Sequence, residues 1–390
     1  MSLIRNQVLL TLVIVAALAV ATSGFVAYAP NRLVSGKPIA LWAAASPPVT
    51  IIVALLGALL LAVCFASPSR LLRFAEAALA AALLLLVLFA AGQAASALAP
   101  GAKPAARISL GTAFWALSSC AALAVADALQ RLDAGPAVRV FTVAAIGAGI
   151  AGLAAVGTFD SLSIVREYTT RRQLFADAVL RHIALVAGSV GPAIVIGLPL
   201  GVAAARKPRL QAPLFAVLNL LQTIPSIALF GLLIVPLAAL ATAVPQLAAL
   251  GVGGIGVAPA IVALVLYALL PVVRNTSAGL AGVDAAVIEA GRGMGLTSPQ
   301  IFWQVELPLA LPVLLAGLRI VTVQAIGLAV VAALIGAGGL GTFVFEGLGQ
   351  YAVDLVLLGA LPAIFLALAA DFVLRTLSAA LRPALPHDRD

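Results

Sequence analysis

Residues 287–308 read Val287-Ile288-Glu289-Ala290-Gly291-Arg292-Gly293-Met294-Gly295-Leu296-Thr297-Ser298-Pro299-Gln300-Ile301-Phe302-Trp303-Gln304-Val305-Glu306-Leu307-Pro308. This polar island lies between two apolar runs, roughly 257–281 and 309–333. Each run meets the length of about 20 residues that a membrane-spanning helix needs. The island's punctuation predicts a helix, a turn and a second short helix. Gly295 is placed to end the first helix, because glycine enters the left-handed region at no steric cost. Ser298 is placed to cap the second, with Pro299 at its first position. Ile301, Phe302 and Val305 then share one face. On physical grounds alone, such an amphipathic loop helix either lies on a membrane surface or docks into a partner's groove.

The rest of the chain places the island in a bilayer. Of 390 residues, 64% are apolar and 9% charged, and the mean hydropathy is +1.20. Soluble domains run about 45–50% apolar and about 25% charged, so a water-exposed surface cannot be built here, and disorder is excluded by the same numbers. Ten apolar runs are expected to span: roughly 7–29, 47–66, 74–99, 108–129, 137–157, 179–205, 211–239, 257–281, 309–333 and 354–378. They are continuous and rich in Ala and Leu, unlike the alternating strands of a membrane barrel. The expected class is an all-α membrane protein. The first run carries Arg5 and an Ala27-Tyr28-Ala29 triplet, as a signal peptide would. Its apolar length exceeds the 7–15 residues of such a segment, and Pro30 would follow the cut, so an uncleaved helix is expected. Cys64 and Cys120 sit inside apolar runs and read as inert packing, and no metal-spaced cluster occurs.

Lys and Arg outnumber Asp and Glu by 22 to 14. The basic residues are scattered over short loops, which fits membrane topology and anionic lipid better than a nucleic-acid face. In the second half, Arg206, Lys207, Arg209, Arg274, Arg292, Arg375, Arg382 and Arg389 fall on one side, while segments 240–256 and 336–353 hold no Lys or Arg. That bias puts the first set, and with ten spans both termini, in the cytoplasm. The first half agrees weakly. Arg5, Arg70, Arg73, Arg131 and Arg139 fall inside, but Arg32, Lys37, Lys103 and Arg107 fall outside. The most polar stretch, Thr158 to Arg181, separates two five-span regions with no convincing internal repeat.

The island also resembles the cytoplasmic signature of ABC importer permeases: Glu-Ala-Ala, three residues, Gly, nine residues, Ile, one residue, Leu-Pro. Glu289, Ala290, Gly291, Gly295, Val305, Leu307 and Pro308 stand at those positions with every spacing kept, Gly291 replacing the second Ala and Val305 the Ile. The resemblance implies a coupling helix that inserts into a groove on a separate ATPase. Three further stretches are similar to permeases of glycine betaine, choline and related osmoprotectant importers: Leu221 to Leu229, Leu266 to Arg274 and Ala333 to Gly341. Tyr28 to Gly36 and Ser163 to Tyr168 resemble the longer, two-part members of that group.

The resemblance implies an accessory membrane region of about five helices over 1–160. It implies a type I importer permease domain over 161–390. Gln222, Thr223, Pro225, Ser226, Gly336, Gly338, Gly339 and Gly341 become candidate pathway residues. Proline or glycine within a span frees backbone groups that need partners in protein or in a wet cavity. A packing kink at Pro225 and an outer turn at the glycines satisfy the same sequence. Arg319 and Asp371 lie inside the last two spans, where a pair between them competes with a local Asp371–Arg375 pair. His182, at a span boundary, offers little for a proton relay.

The sequence contains no phosphate-binding Gly-x-x-x-x-Gly-Lys-Ser/Thr loop and no metalloprotease or nucleophile-elbow motif. An enzyme is therefore not expected, and no cofactor is expected on this chain; ATP and Mg would sit on the partner ATPase. Other expected partners are an extracytoplasmic substrate-binding protein, a second permease copy or paralogue, and membrane lipid. The function implied is the inner-membrane permease of an importer for glycine betaine or related quaternary-ammonium osmoprotectants. An ATP-independent secondary transporter or channel is the alternative, and it has no use for an ATPase-docking loop.

Overall fold

The computed structural model describes residues 5–32, 34–67, 69–100, 105–249 and 251–380. Leu33, Lys103, Arg382 and Arg389, used above in the motif and charge readings, lie outside them. The chain divides into two compact units, Met1–Thr170 and Arg171–Asp390. The segment 161–170, expected to open the second module, belongs to the first unit.

The first unit contains helices α1 (Gln7–Thr22), α2 (Leu41–Ala44), α3 (Pro47–Val63), α4 (Arg70–Leu98), α5 (Thr112–Arg131), α6 (Pro136–Ala155) and α7 (Ser163–Thr170). The α4 and α5 helices pack through stripes of small residues. Ala80, Ala90, Ala91 and Ala94 of α4 and Ala113, Ala121, Ala124 and Ala128 of α5 are buried. Such residues let helix backbones approach where no hydrophobic force separates protein from lipid. Cys64 and Cys120 are free and buried in this core. Asn6 caps α1 by accepting the Leu9 N–H at 3.0 Å. Its amide donates to Glu76 at 3.1 Å and Asp127 at 3.0 Å, and Arg131 pairs with Asp127 at 2.7 Å.

The expected first span of 7–29 is corrected here. Its helix stops at Thr22, and Val26–Ala29 is strand β1. With β2 (Lys37–Ile39) and β3 (Arg107–Leu110) it forms an antiparallel sheet of order β2-β1-β3. Val26 faces Ile39 on one side and Leu110 on the other. The expected span from 108 likewise starts later, at Thr112. The start of α7 ties down β3, because the Ile108 N–H donates to Ser163 Oγ at 2.6 Å. Glu167, 4% exposed, pairs with both Arg32 and Arg107. Two of the basic residues that blurred the charge bias are thus ion-paired within the fold, sharing one carboxylate.

The second unit contains α8 (Arg172–Arg206), α9 (Pro208–Thr223), α10 (Ser226–Ala243), α11 (Pro245–Ala249), α12 (Val257–Ala281), α13 (Ala285–Gly293), α14 (Ser298–Ile301), α15 (Leu307–Val331), α16 (Gly341–Gly349) and α17 (Val353–Ala380). Its axis is α12, whose buried residues, among them Pro259, Leu264, Tyr267, Val273 and Thr276, point to several sides. The α8 helix lies so close that a Cβ on Gly201 would meet Thr276 Cβ at 2.5 Å, a distance real Cβ atoms do not tolerate. The single expected span 211–239 is corrected: it is broken at Ile224–Pro225 into α9 and α10. Eight described helices are long and apolar enough to cross a membrane, and two shorter apolar ones, Gln7–Thr22 and Pro47–Val63, stand where the sequence places the first two spans.

Candidate functional site: a projecting loop and two broken helices

The loop between α12 and α15 is built almost wholly from exposed residues. Asp284 caps α13 by accepting the Ala286 N–H at 2.8 Å. The helix ends at Gly293, and Gly295 follows with φ +84°, the left-handed turn expected of it. The cap of the next helix is Thr297, one residue before the expected Ser298. Its N–H donates to Gln300 Oε1 at 2.8 Å and its side chain accepts the Gln300 N–H, the reciprocal geometry of a capping box. Pro299 therefore takes the second helical position rather than the first. Ile301 is buried, whereas Phe302 and Val305 are half-buried. An added Cβ at Gly291 would lie 3.6 Å from both Ile301 and Leu296, ordinary contact, so the family's alanine fits there too.

Glu289 and Ala290 lie on the exposed face of α13, and Glu289 pairs with Arg292 at 2.6 Å, both side chains about two-thirds exposed. Around them Val287, Met294 and Trp303 are 42%, 75% and 66% exposed. The loop is fixed at its far end by Glu306, 4% exposed, which pairs with Arg206 at the last turn of α8. Between Ile301 and Leu307 the helix widens into a π-turn, Phe302–Glu306, so Val305, Leu307 and Pro308 sit on the joint between loop and span. The helical run continues from Ser298 to Ile335, 38 residues, or about 57 Å at 1.5 Å per residue. It closes in a tight 3-10 turn, Ala332–Ile335.

The helix break at Pro225 has a specific solution. Pro271 in α12 has no N–H, so the Tyr267 carbonyl one turn earlier loses its helical donor. The Gln222 side chain supplies it, Nε2 donating to Tyr267 O at 2.6 Å. In return the Tyr267 hydroxyl donates to the Ile224 carbonyl, at the break itself. Two interrupted helices thus satisfy one another. Thr223 Oγ1 donates to Leu220 O at 2.7 Å, Ser226 opens α10, and Pro225 and Thr223 are exposed.

At the opposite end of α15, Gly336, Gly338 and Gly339 all have positive φ, and Gly341 begins α16. The expected loop there therefore includes a helix. Beneath it His182 is fully buried, with Nε2 3.1 Å from Ile326 O. A carbonyl only accepts, so Nε2 carries the proton and Nδ1 is a lone-pair acceptor without a partner. A Cβ on Gly339 would lie 3.2 Å from that Nδ1. His182 is a bolt between α8, α15 and the glycine segment. Leu229 and Phe230, in the first turns of α10 after the break, share a core cluster with Ala332 and Ala337 beside the glycine segment. The projecting loop lies at the other end of α15. Among the described residues no group of His, Cys, Asp and Glu is arranged to hold a metal.

Comparison with known proteins follows the same division. The profile for the N-terminal domain of ABC transporter permease YehY matches residues 4–165. The profile for the binding-protein-dependent transport system inner membrane component matches residues 197–385. The chain is 43% identical over 212 residues to the osmoprotectant import permease protein OsmW of Salmonella typhimurium, covering 53% of this chain and 92% of that protein. The chain belongs to the binding-protein-dependent transport permeases. Two further relatives are the carnitine transport permease protein OpuCB of Listeria monocytogenes and the choline transport system permease protein OpuBB of Bacillus subtilis. The first is 41% identical over 52% of the permease and 86% of the relative. The second is 39% identical over 52% of the permease and 85% of the relative.

The residues that sequence reading missed are Arg206, Glu306 and Tyr267. Tyr267 was detectable, because a proline four residues later in a helix orphans its carbonyl. The Arg206–Glu306 pair spans 100 residues and left no local signal.

Proposed function

We propose that this permease carries glycine betaine or a related quaternary-ammonium osmoprotectant across the inner membrane, driven by a separate ATPase that holds ATP and Mg. The relatives' carnitine and choline share the methylated ammonium group. A binding protein outside, caging that cation on aromatic faces, would hand over the ligand. A second permease, the same or a paralogue, completes the pathway. Both termini and the loop of 289–308 face the cytoplasm, on the argument of loop charge.

The observation that carries this reading is the loop itself. It is capped, held at Glu306, exposed along its apolar and charged face, and continuous with a rod that ends at the glycine segment. Docking of Glu289, Ala290, Gly291 and Gly295 on an ATPase would push on Val305, Leu307 and Pro308 and move the rod against Gly336 to Gly341. Irregular helical turns at both rod ends are where such motion is absorbed. The Glu289–Arg292 pair does not resist docking, because an exposed pair is worth about 0–1 kcal/mol. Co-purification with the ATPase in lipid, followed by hydrolysis assays with betaine-loaded binding protein, tests the reading. Stimulation by quaternary amines is expected, and uptake that persists without any ATPase would overturn it.

A further inference from the structure

The α15 and α17 helices run antiparallel, and between them is a cavity of about 330 Å³ whose polar groups include Arg319, Arg375 and Ser378. Arg319 lies within the spanning run, level with the last turns of α17, where an ionised side chain needs a partner or a route to the membrane face. Its partner is Asp371, at 3.4 Å. Asp371 is held more tightly by Arg375, at 2.7 Å. Among the described residues, two guanidinium groups therefore share one carboxylate. The 3.4 Å contact exceeds the roughly 2.7–2.9 Å of a strong charge-assisted bond, so Arg319 is held loosely. Each guanidinium has five N–H donors, and among the described residues Asp371 is the ion-pair partner of both. The cavity runs from Arg319 to Ser378 and Ala379 near the end of α17, and its apolar lining includes Pro312, Leu315 and Leu374. Cationic groups and a hydroxyl in a partly apolar cavity of this size suit the phosphodiester of a lipid headgroup.

We propose that this cavity is a binding site for an anionic phospholipid, whose phosphate is gripped by Arg319 and Arg375. The lipid supplies the charge and the acceptor oxygens that Asp371 alone does not. Ser378 donates a further hydrogen bond, and Pro312, Leu315 and Leu374 line the cavity around the headgroup. Basic pockets between spanning helices near a membrane face are a recurring form of anionic-lipid recognition. The site is separate from the coupling loop and from the helix breaks, and the proposal does not depend on which solute is carried.

The test uses the full chain in phosphatidylcholine nanodiscs with and without phosphatidylglycerol. Native mass spectrometry reads the retained lipid, and thermal unfolding reads stability. Retention of phosphatidylglycerol over phosphatidylcholine by about tenfold is expected, the worth of one charge-assisted contact. Arg375→Gln, at an exposed position that leaves Arg319 and Asp371 paired, should lose most of that preference while unfolding normally in phosphatidylcholine. Arg319→Lys should keep part of it, because a lysine still offers a point charge. Equal retention of the two lipids by the wild type overturns the proposal. So does equal stabilisation by inorganic phosphate, which would make the site one for a free anion. Unchanged lipid preference in Arg375→Gln with a loss of permease dimers would assign the cavity to a second copy and overturn it as well.

Discussion

In the first unit Glu167 is buried and takes both Arg32 and Arg107; in the second, Glu289 lies on the surface beside Arg292 alone. The contrast extends beyond these carboxylates. Asn6 binds Glu76 and Asp127 within the first unit's core, and Arg73 donates to the Arg131 carbonyl there. The second unit leaves a capped helix with exposed Val287, Met294 and Trp303 projecting from its end. Buried polar groups that find partners inside a unit stabilise that unit, and groups left outside are available to another molecule. On the proposed reading, the charges of the first unit close on one another, whereas the second presents its loop to a partner. Charge reversal is therefore expected to harm folding in the first unit and transport in the second.

The largest effect that would sharpen the contrast is on transport. If Glu289 docks on the ATPase as proposed, Glu289→Lys would remove a charge-assisted contact worth about 1.5–3 kcal/mol, enough to weaken docking roughly ten- to a hundredfold. Gly295→Asp puts a charged side chain on a left-handed residue where an added Cβ meets nothing in this chain, so on the proposed reading its bulk and charge fall on the docked ATPase. Both variants are expected to abolish uptake at normal membrane abundance, measured with labelled betaine in cells. Uptake above half of wild type would return the loop to a surface helix lying on lipid.

Next in size is Glu167→Gln. It leaves two partly buried guanidinium groups without their carboxylate, an expected cost of about 2–3 kcal/mol, discounted for the partners' exposure. The first unit should unfold at lower temperature while uptake per folded molecule is kept. Loss of uptake at unchanged stability would break the contrast. Tyr267→Phe strands the Ile224 carbonyl at the helix break, an expected loss of about 1–3 kcal/mol read as a drop in unfolding temperature of the full chain. The smallest effect is Gly291→Ala. The site has room for the methyl, so the helix should gain about 0.5–1 kcal/mol with uptake unchanged.

Much of the fold is visible in the apolar runs, because a spanning helix must satisfy its own backbone and so declares itself by length. The errors have physical causes. Val26-Ala27-Tyr28-Ala29 extends the apolar run of α1 without changing its composition, and the turn at Ser23-Gly24 is the sole local sign that a strand follows. Thr297 and Ser298 are both good caps, and Gln300, three residues after Thr297, decides between them. Pro225 marks its own break. The partners of Glu167 and Glu306 lie 60 or more residues away, and only tertiary structure brings them together.

The account rests on the loop after α12 touching an ATPase, and one cross-link tests that contact. A photoreactive residue at position 294, where Met294 is three-quarters exposed beside the Gly295 turn, should capture the ATPase subunit in the assembled transporter. The same probe at Leu348, exposed at the far end of α16, should not. Capture from 348 and none from 294 would contradict the assignment of the coupling end and, with it, the direction in which the rod is driven.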